Sequence, residues 1–177
     1  RIEDDEVTAV GSGSAGPVER SIDTEGRLVI PGFVDIHGDD LERYRFPRAG
    51  ADVGADSALV SSDRGNVAAG ITTKFHAIAF EHAPDDHRSL AQAREEVHAI
   101  GRADGLLADT LVNARCELGD DRAVDAVVAA VDSDAVGLVS LMNHLPASGQ
   151  FADAEQFERR YGSRSTVGWT DGGTVRE

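Results

Sequence analysis

His37 and Asp39 stand two residues apart in Phe33-Val34-Asp35-Ile36-His37-Gly38-Asp39-Asp40, a segment that alternates apolar and polar residues with the period of a β-strand. Side chains at i and i+2 of a strand project side by side, so strict alternation predicts Asp35, His37 and Asp39 on one face and Val34 and Ile36 on the other. An imidazole and a carboxylate placed this way are able to meet one divalent cation. Two further residues have the same character. Glu117 closes the β-prone run Leu111-Val112-Asn113-Ala114-Arg115-Cys116-Glu117-Leu118, and His144 closes Val136-Gly137-Leu138-Val139-Ser140-Leu141-Met142-Asn143-His144. A His/Asp/Glu/His set suits one or two divalent ions, with carboxylate able to bridge and imidazole to bind terminally. Each residue also has an ordinary structural reading. Glu117 could pair with Arg115, His144 could bond a loop carbonyl before Pro146, Asp39 could pair with an arginine of the following loop, and Asp40 could compete with it for a metal.

For these residues to meet, their elements must bring strand ends together. Residues 57 to 69 read as a helix stopped by Gly70, and Ile71 to Phe80 as a β-branched, aromatic strand. Leu90, Ala93, Val97 and Ile100 recur at helical spacing, Ala123 to Val131 reads as another helix, and Phe151, Ala154, Phe157 and Tyr161 outline a last one. Strand and helix alternate, and the strands are nearly continuous apolar runs, as in a parallel sheet buried on both faces. In such folds, ligands collect at the carboxyl ends of the strands. Residues 1–30 read instead as short strands broken by Gly11-Ser12-Gly13-Ser14-Ala15-Gly16-Pro17, with too few apolar positions to build a core.

The chain has 177 residues, with 17 basic against 32 acidic side chains and a net charge of -15. That balance argues against general electrostatic binding to nucleic acid or an anionic membrane. Sixteen of the basic residues are Arg and one, Lys74, is Lys. An acidic, lysine-poor surface is the kind found in salt-loving archaea, where molar salt screens self-repulsion. The sequence has no apolar run of about 18 residues and no basic-apolar leader, so a cytoplasmic location is expected. The single cysteine, Cys116, excludes an internal disulfide framework, and alternation beside Arg115 and Glu117 predicts that it faces a helix layer.

The stretch from Ile22 to His37 resembles the approach to the first barrel strand of the amidohydrolase superfamily, where a small β-domain hands over to a metal-binding (β/α)8 barrel. More specifically, His37-Gly38-Asp39-Asp40-Leu41-Glu42, Ala69-Gly70-Ile71-Thr72-Thr73, Arg115-Cys116-Glu117-Leu118, Leu138 to His144 and Gln150-Phe151 resemble the PhnM family. These are the alpha-D-ribose 1-methylphosphonate 5-triphosphate diphosphatases of the carbon-phosphorus lyase pathway. The likeness runs from about residue 21 to 161. That family's first-strand motif is His-x-Asp rather than His-x-His. The chain departs from the family at Asn143, His76, Ala49 and Ser62, which bears on substrate detail more than on the metal set.

The resemblance implies an α/β fold: the first half of a metal-dependent (β/α)8 amidohydrolase barrel (residues 31–177) with part of a small N-terminal β-domain (residues 1–30). A full barrel takes about 250 residues, so the chain reads as truncated at both ends, with further metal ligands beyond Glu177. It implies hydrolysis of a ribose phosphonate triphosphate to the 5-phosphate and diphosphate. His37, Asp39, Glu117 and His144 would be the catalytic residues that hold one or two divalent ions, with Zn2+ ahead of Mn2+ or Mg2+. Arg43, Arg45 and Arg48, just past the first strand end, are placed to hold phosphate with guanidinium forks. The expected partners are the small phosphorylated substrate and the missing remainder of the barrel, with self-association left open. Two other readings stand beside this one: an amidohydrolase that cleaves a cyclic amide or N-acyl bond, and a catalytically silent half-barrel.

Overall fold

The computed structural model describes residues 1–4, 6–13, 16–81, 88–144 and 155. The chain divides into two compact units, Arg1–Pro31 and Gly32–Glu177. In the first unit, β1 (Ile2–Glu3) and β2 (Glu6–Val7) pair antiparallel, with Ile2 opposite Val7. Ile2, Val7, Val10 and Ile22 are all exposed, as expected for a segment with too few apolar residues to enclose a core.

The second unit contains β3 (Phe33–Gly38), α1 (Leu41–Arg45), α2 (Ala55–Ala68), β4 (Ile71–Phe80), α3 (Leu90–Arg102), β5 (Asp109–Glu117), α4 (Asp121–Ala130) and β6 (Val136–Met142). Its sheet is parallel throughout and ordered β3-β4-β5-β6, so each strand lies beside the next in sequence. Sequential order is how a (β/α)8 barrel grows, whereas a doubly wound sheet reverses direction at a switch point. The result is a mixed α/β fold compatible with part of such a barrel. The expected last helix falls almost entirely outside the described residues.

Local chemistry explains where the elements stop and start. Gly70 takes a φ of 83°, a left-handed conformation that ends α2 and turns the chain into β4. Ser89 caps α3 by accepting from Gln92 N at 3.1 Å, and Asp120 caps α4 by accepting from Arg122 N at 3.0 Å. In the stretch after β3, read from the sequence as a loop, residues 41–45 form the short helix α1. Leu41 supplies the reason: it is buried in the core beneath α2.

One face of the sheet carries the core. Ile78 and Phe80 of β4 and Val112, Ala114 and Cys116 of β5 pack against Ala58 and Leu59 of α2, Ala93, Val97 and Ile100 of α3, and Ala123, Ala126 and Val127 of α4. Each large side chain buried here is worth about 1.5–3 kcal/mol. Cys116 lies in this layer, as its alternation with Arg115 and Glu117 predicts, and burial raises its thiol pKa. Buried Asp63 ties α2 to the approach to β5 by accepting from Leu107 N and Ala108 N, each at 3.0 Å. The opposite face of β5 presents Asn113, Arg115 and Glu117. No helix among the described residues is long and apolar enough to cross a membrane.

Candidate metal centre

β5 and β6 run in register, with Glu117 opposite Met142, so Glu117 ends β5 where the chain leaves β6 toward His144. Glu117 Oε2 lies 2.7 Å from His144 Nδ1, and Glu117 Oε1 accepts from Gly119 N at 3.2 Å and from His144 N at 3.3 Å. A carboxylate only accepts, so the imidazole contact requires the proton on Nδ1. A carboxylate partner of this kind fixes a histidine's tautomer and ring orientation at metal sites.

The third member of the cluster is Glu81, the residue after β4. Its Oε2 is 3.9 Å from His144 Nδ1, and one ligand atom each from Glu81, Glu117 and His144 fall within 4.8 Å of one another. Glu117 is buried and the other two half-buried. Glu81 is also paired with Arg88, whose Nη1 is 2.8 Å from Glu81 Oε1 while its Nε and Nη2 fork onto Glu42 at 2.8 and 3.2 Å. Two partly desolvated carboxylates and one imidazole are a donor set that fits a divalent cation.

Sequence reasoning missed Glu81. It stands at the head of Glu81-His82-Ala83-Pro84-Asp85-Asp86, which reads as a polar loop. Its signal is positional: it lies two residues beyond Ala79, which pairs with Arg115 in the β4–β5 register and so shares the face of Glu117.

His37 and Asp39 form a second group that stands outside this triad. His37 Nε2 is 3.7 Å from Asp39 Oδ2, and both side chains are about half exposed. His37 Nδ1 is 3.5 Å from Asn113 Nδ2, which donates to Ile36 O at 3.0 Å, and Arg115 Nη1 is 3.0 Å from Asp39 Oδ1. Asn113 and Arg115 precede Glu117 on the same strand face, so β5 carries the contacts of both groups. Arg115 pairs with Asp39 rather than with Glu117, and the arginines of the loop after β3 do not take that role.

Asp35 is where strict alternation fails. It does not share a face with His37: its Oδ2 is 2.7 Å from Lys74 Nζ, on the side of the sheet that meets α2. The cause is an irregularity in the β3–β4 pairing between Asp35 and Gly38, which breaks the period of two. Asp40 turns the same way, with Oδ1 2.8 Å from Lys74 Nζ and Oδ2 accepting from Ser62 Oγ at 2.6 Å. It therefore does not compete with Asp39 in this structure. Burial opposes ionisation of Asp40, but the bonds from Lys74 and Ser62 outweigh it and hold the carboxyl below its ordinary pKa.

His76 of β4 is 1% exposed, and its Nδ1 has no hydrogen-bond partner among the described residues. Burial pushes its pKa down to about 4, against the opposing pull of Asp40.

Arg45 is corrected as a phosphate ligand. It is buried, with Nε 3.1 Å from Asp52, Nη2 2.6 Å from Glu95 and Nη1 3.1 Å from Glu96, so its fork is committed to three carboxylates. Those contacts tie α1 to α3. Arg43 and Arg48 are exposed.

Comparison with known proteins finds similarity to hydrolytic enzymes. The chain is 32% identical over 151 residues to the alpha-D-ribose 1-methylphosphonate 5-triphosphate diphosphatase of Escherichia coli (strain K12), covering 84% of this chain and 40% of that relative. It is 46% identical over 39 residues to an N-acyl-D-glutamate deacylase of Alcaligenes xylosoxydans xylosoxydans, 22% of this chain and 8% of that relative. A D-hydantoinase of Ralstonia pickettii is 38% identical over 61 residues, 34% of this chain and 13% of that relative. The chain thus spans well under half the length of the curated relatives it matches. No protein-family model and no solved structure matches it.

Proposed function

We propose that this chain carries one rim of the active site of a metal-dependent hydrolase that acts on a phosphorylated small molecule. The favoured substrate is alpha-D-ribose 1-methylphosphonate 5-triphosphate, cleaved by water to the 5-phosphate and diphosphate. The observation that carries the reading is the convergence of Glu81, Glu117 and His144 at the strand ends, taken with the 32% identity over 151 residues to the diphosphatase relative. We take residues 31–177 as the first half of a (β/α)8 barrel and residues 1–30 as part of a small β-domain.

In this reading Glu117, Glu81 and His144, the last through the ring nitrogen not bonded to Glu117, hold one cation, and His37 with Asp39 supplies donors to the same ion or a neighbour. A divalent ion bound there supplies Lewis acidity and brings the pKa of a coordinated water toward about 7. The protein's own groups do the rest. Glu117 fixes the His144 imidazole, and Arg88 aims Glu81. Arg115 holds Asp39 until phosphate competes for the guanidinium. Arg43 and Arg48 are the remaining candidates for the phosphate tail; Arg45 is not, because its donors are already committed.

Incubating the full chain with the triphosphate and Zn2+, Mn2+ or Mg2+, and following phosphorus resonances, tests the reading. Release of diphosphate supports it. Turnover of a hydantoin or an N-acyl amino acid in place of the triphosphate would instead favour carbon-nitrogen cleavage, in line with the deacylase and hydantoinase relatives. A catalytically silent half-barrel is the further reading. It is favoured by β3, where Phe33, Val34 and Ile36 are more than half exposed, a liability in an unpaired edge strand.

A further inference from the structure

Lys74 is the one lysine among 17 basic residues, and it is almost wholly buried. Its Nζ lies 2.7 Å from Asp35 Oδ2 and 2.8 Å from Asp40 Oδ1. Those carboxylates flank the segment His37-Gly38-Asp39, Asp35 two residues before it and Asp40 directly after it. One cation therefore grips both ends of the segment from the side of α2, while His37 and Asp39 turn the other way, toward Asn113 and Arg115. Gly38 makes room for the grip: a Cβ there would overlap Lys74 Nζ and Cε. The anchorage continues into α2, since Ser62 Oγ donates to Asp40 Oδ2 at 2.6 Å and Asn66 Nδ2 donates to Ser62 Oγ at 3.1 Å.

Stability alone does not account for this arrangement, because a buried ion pair often gains nothing over apolar packing of the same volume. Nor would arginine substitute, since a planar fork is broader than the compact ammonium seated against Gly38. A chain that uses arginine at sixteen of its seventeen basic positions places its one lysine at the spot where only a point charge fits.

We propose that Lys74 is a positioning residue for His37 and Asp39, setting the spacing and direction of that donor pair by holding Asp35 and Asp40 from the opposite side of β3. The proposal rests on the reading of His37 and Asp39 as metal donors. It places the control of a half-exposed ligand pair in a buried ionic knot that never touches the metal or the substrate.

Titration of the full chain with Co2+, followed by visible absorption, tests it. The reference is His37→Ala, which defines the component of the spectrum that depends on this donor pair. Lys74→Met is expected to weaken that component by about 10–100-fold, the usual effect of losing an outer partner of a metal ligand, and to shift its bands. The double variant Lys74→Met with Asp40→Asn removes the more buried of the two carboxylates left unpaired, and is expected to show the same loss where the single variant does not fold. A His37→Ala chain with the wild-type spectrum and affinity would sink the donor reading itself. If His37→Ala loses the component while the folded Lys74 variants keep it at wild-type affinity and wavelength, the donor reading stands and the positioning role is overturned.

Discussion

Glu117 Oε2 and His144 Nδ1 lie 2.7 Å apart across the ends of two neighbouring parallel strands, β5 and β6. Glu117 is buried, and its carboxylate is satisfied at short range by the hydrogen bond from that imidazole. Glu117→Gln and His144→Ala should each lower Zn2+ affinity by about 100-fold or more, at or beyond the upper end of the loss seen for outer partners of metal sites. Chelation of wild-type protein should abolish any hydrolysis, and added divalent metal should restore it. Calorimetric titration together with the phosphorus assay checks both.

Glu81 provides a sharper test, because no motif pointed to it. With Oε1 held by Arg88 and Oε2 turned toward His144, Glu81→Gln should weaken metal binding by about 10-fold or more. Arg88→Gln should have a smaller effect of the same sign, since it frees the carboxylate without removing it. Equal metal affinity in wild type and Glu81→Gln would remove Glu81 from the site.

His76 gives the fold a pH dependence with a defined sign. Its folded pKa of about 4 lies below the ordinary histidine value of about 6.5, so the unfolded chain binds the extra proton between those limits. Stability is therefore full above about pH 6.5 and falls as the pH drops toward 4, by up to about 3 kcal/mol at 1.36 kcal/mol per unit. The groups around the ring modify the slope: Asp40 and Asp35 beside β3 and Asp63 on α2 favour its protonation, and Lys74 opposes it. Urea denaturation at pH 7.5 and pH 5 should show the loss, and His76→Gln should flatten the difference.

Arg45 is a stability determinant by the same kind of reasoning. Arg45→Met strips the partner from buried Glu96 and from two half-exposed acids, and should cost about 3 kcal/mol, the lower end for breaking a buried pair, given how much of the network is wet. Denaturant midpoints measure it. Steady-state constants of whatever folded protein remains should change little.

Salt should act on the whole molecule. A net charge of -15 on 177 residues repels itself at low ionic strength. The screening length shortens from about 10 Å at 0.1 M to about 3 Å at 1 M. The thermal midpoint should therefore rise between 0.1 and 2 M KCl, and scanning calorimetry would detect the absence of such a rise.

The elements were legible because their patterns are local. Ile71 to Phe80 carries enough β-branched and aromatic residues to be read as a strand from either end, and Gly70 marks the break before it. The chain ends of β5 and β6 gave Glu117 and His144 for the same reason. What escaped depended on partners distant in sequence or on a break in period. Arg45 meets acids 50 residues away, so from sequence its guanidinium near the strand end reads as available. Strict alternation puts Asp35 on the wrong face because a register irregularity leaves no trace in an alternating pattern. The burial of His76 depends on how α2 lies across β4, which the strand's own residues do not encode.

The irregular step in β3 lets six residues serve two masters. Before it, an acid is delivered rearward to an ionic lock; after it, an imidazole is delivered forward to solvent. Lengthening or shortening that strand by one residue would thus unseat both deliveries at once.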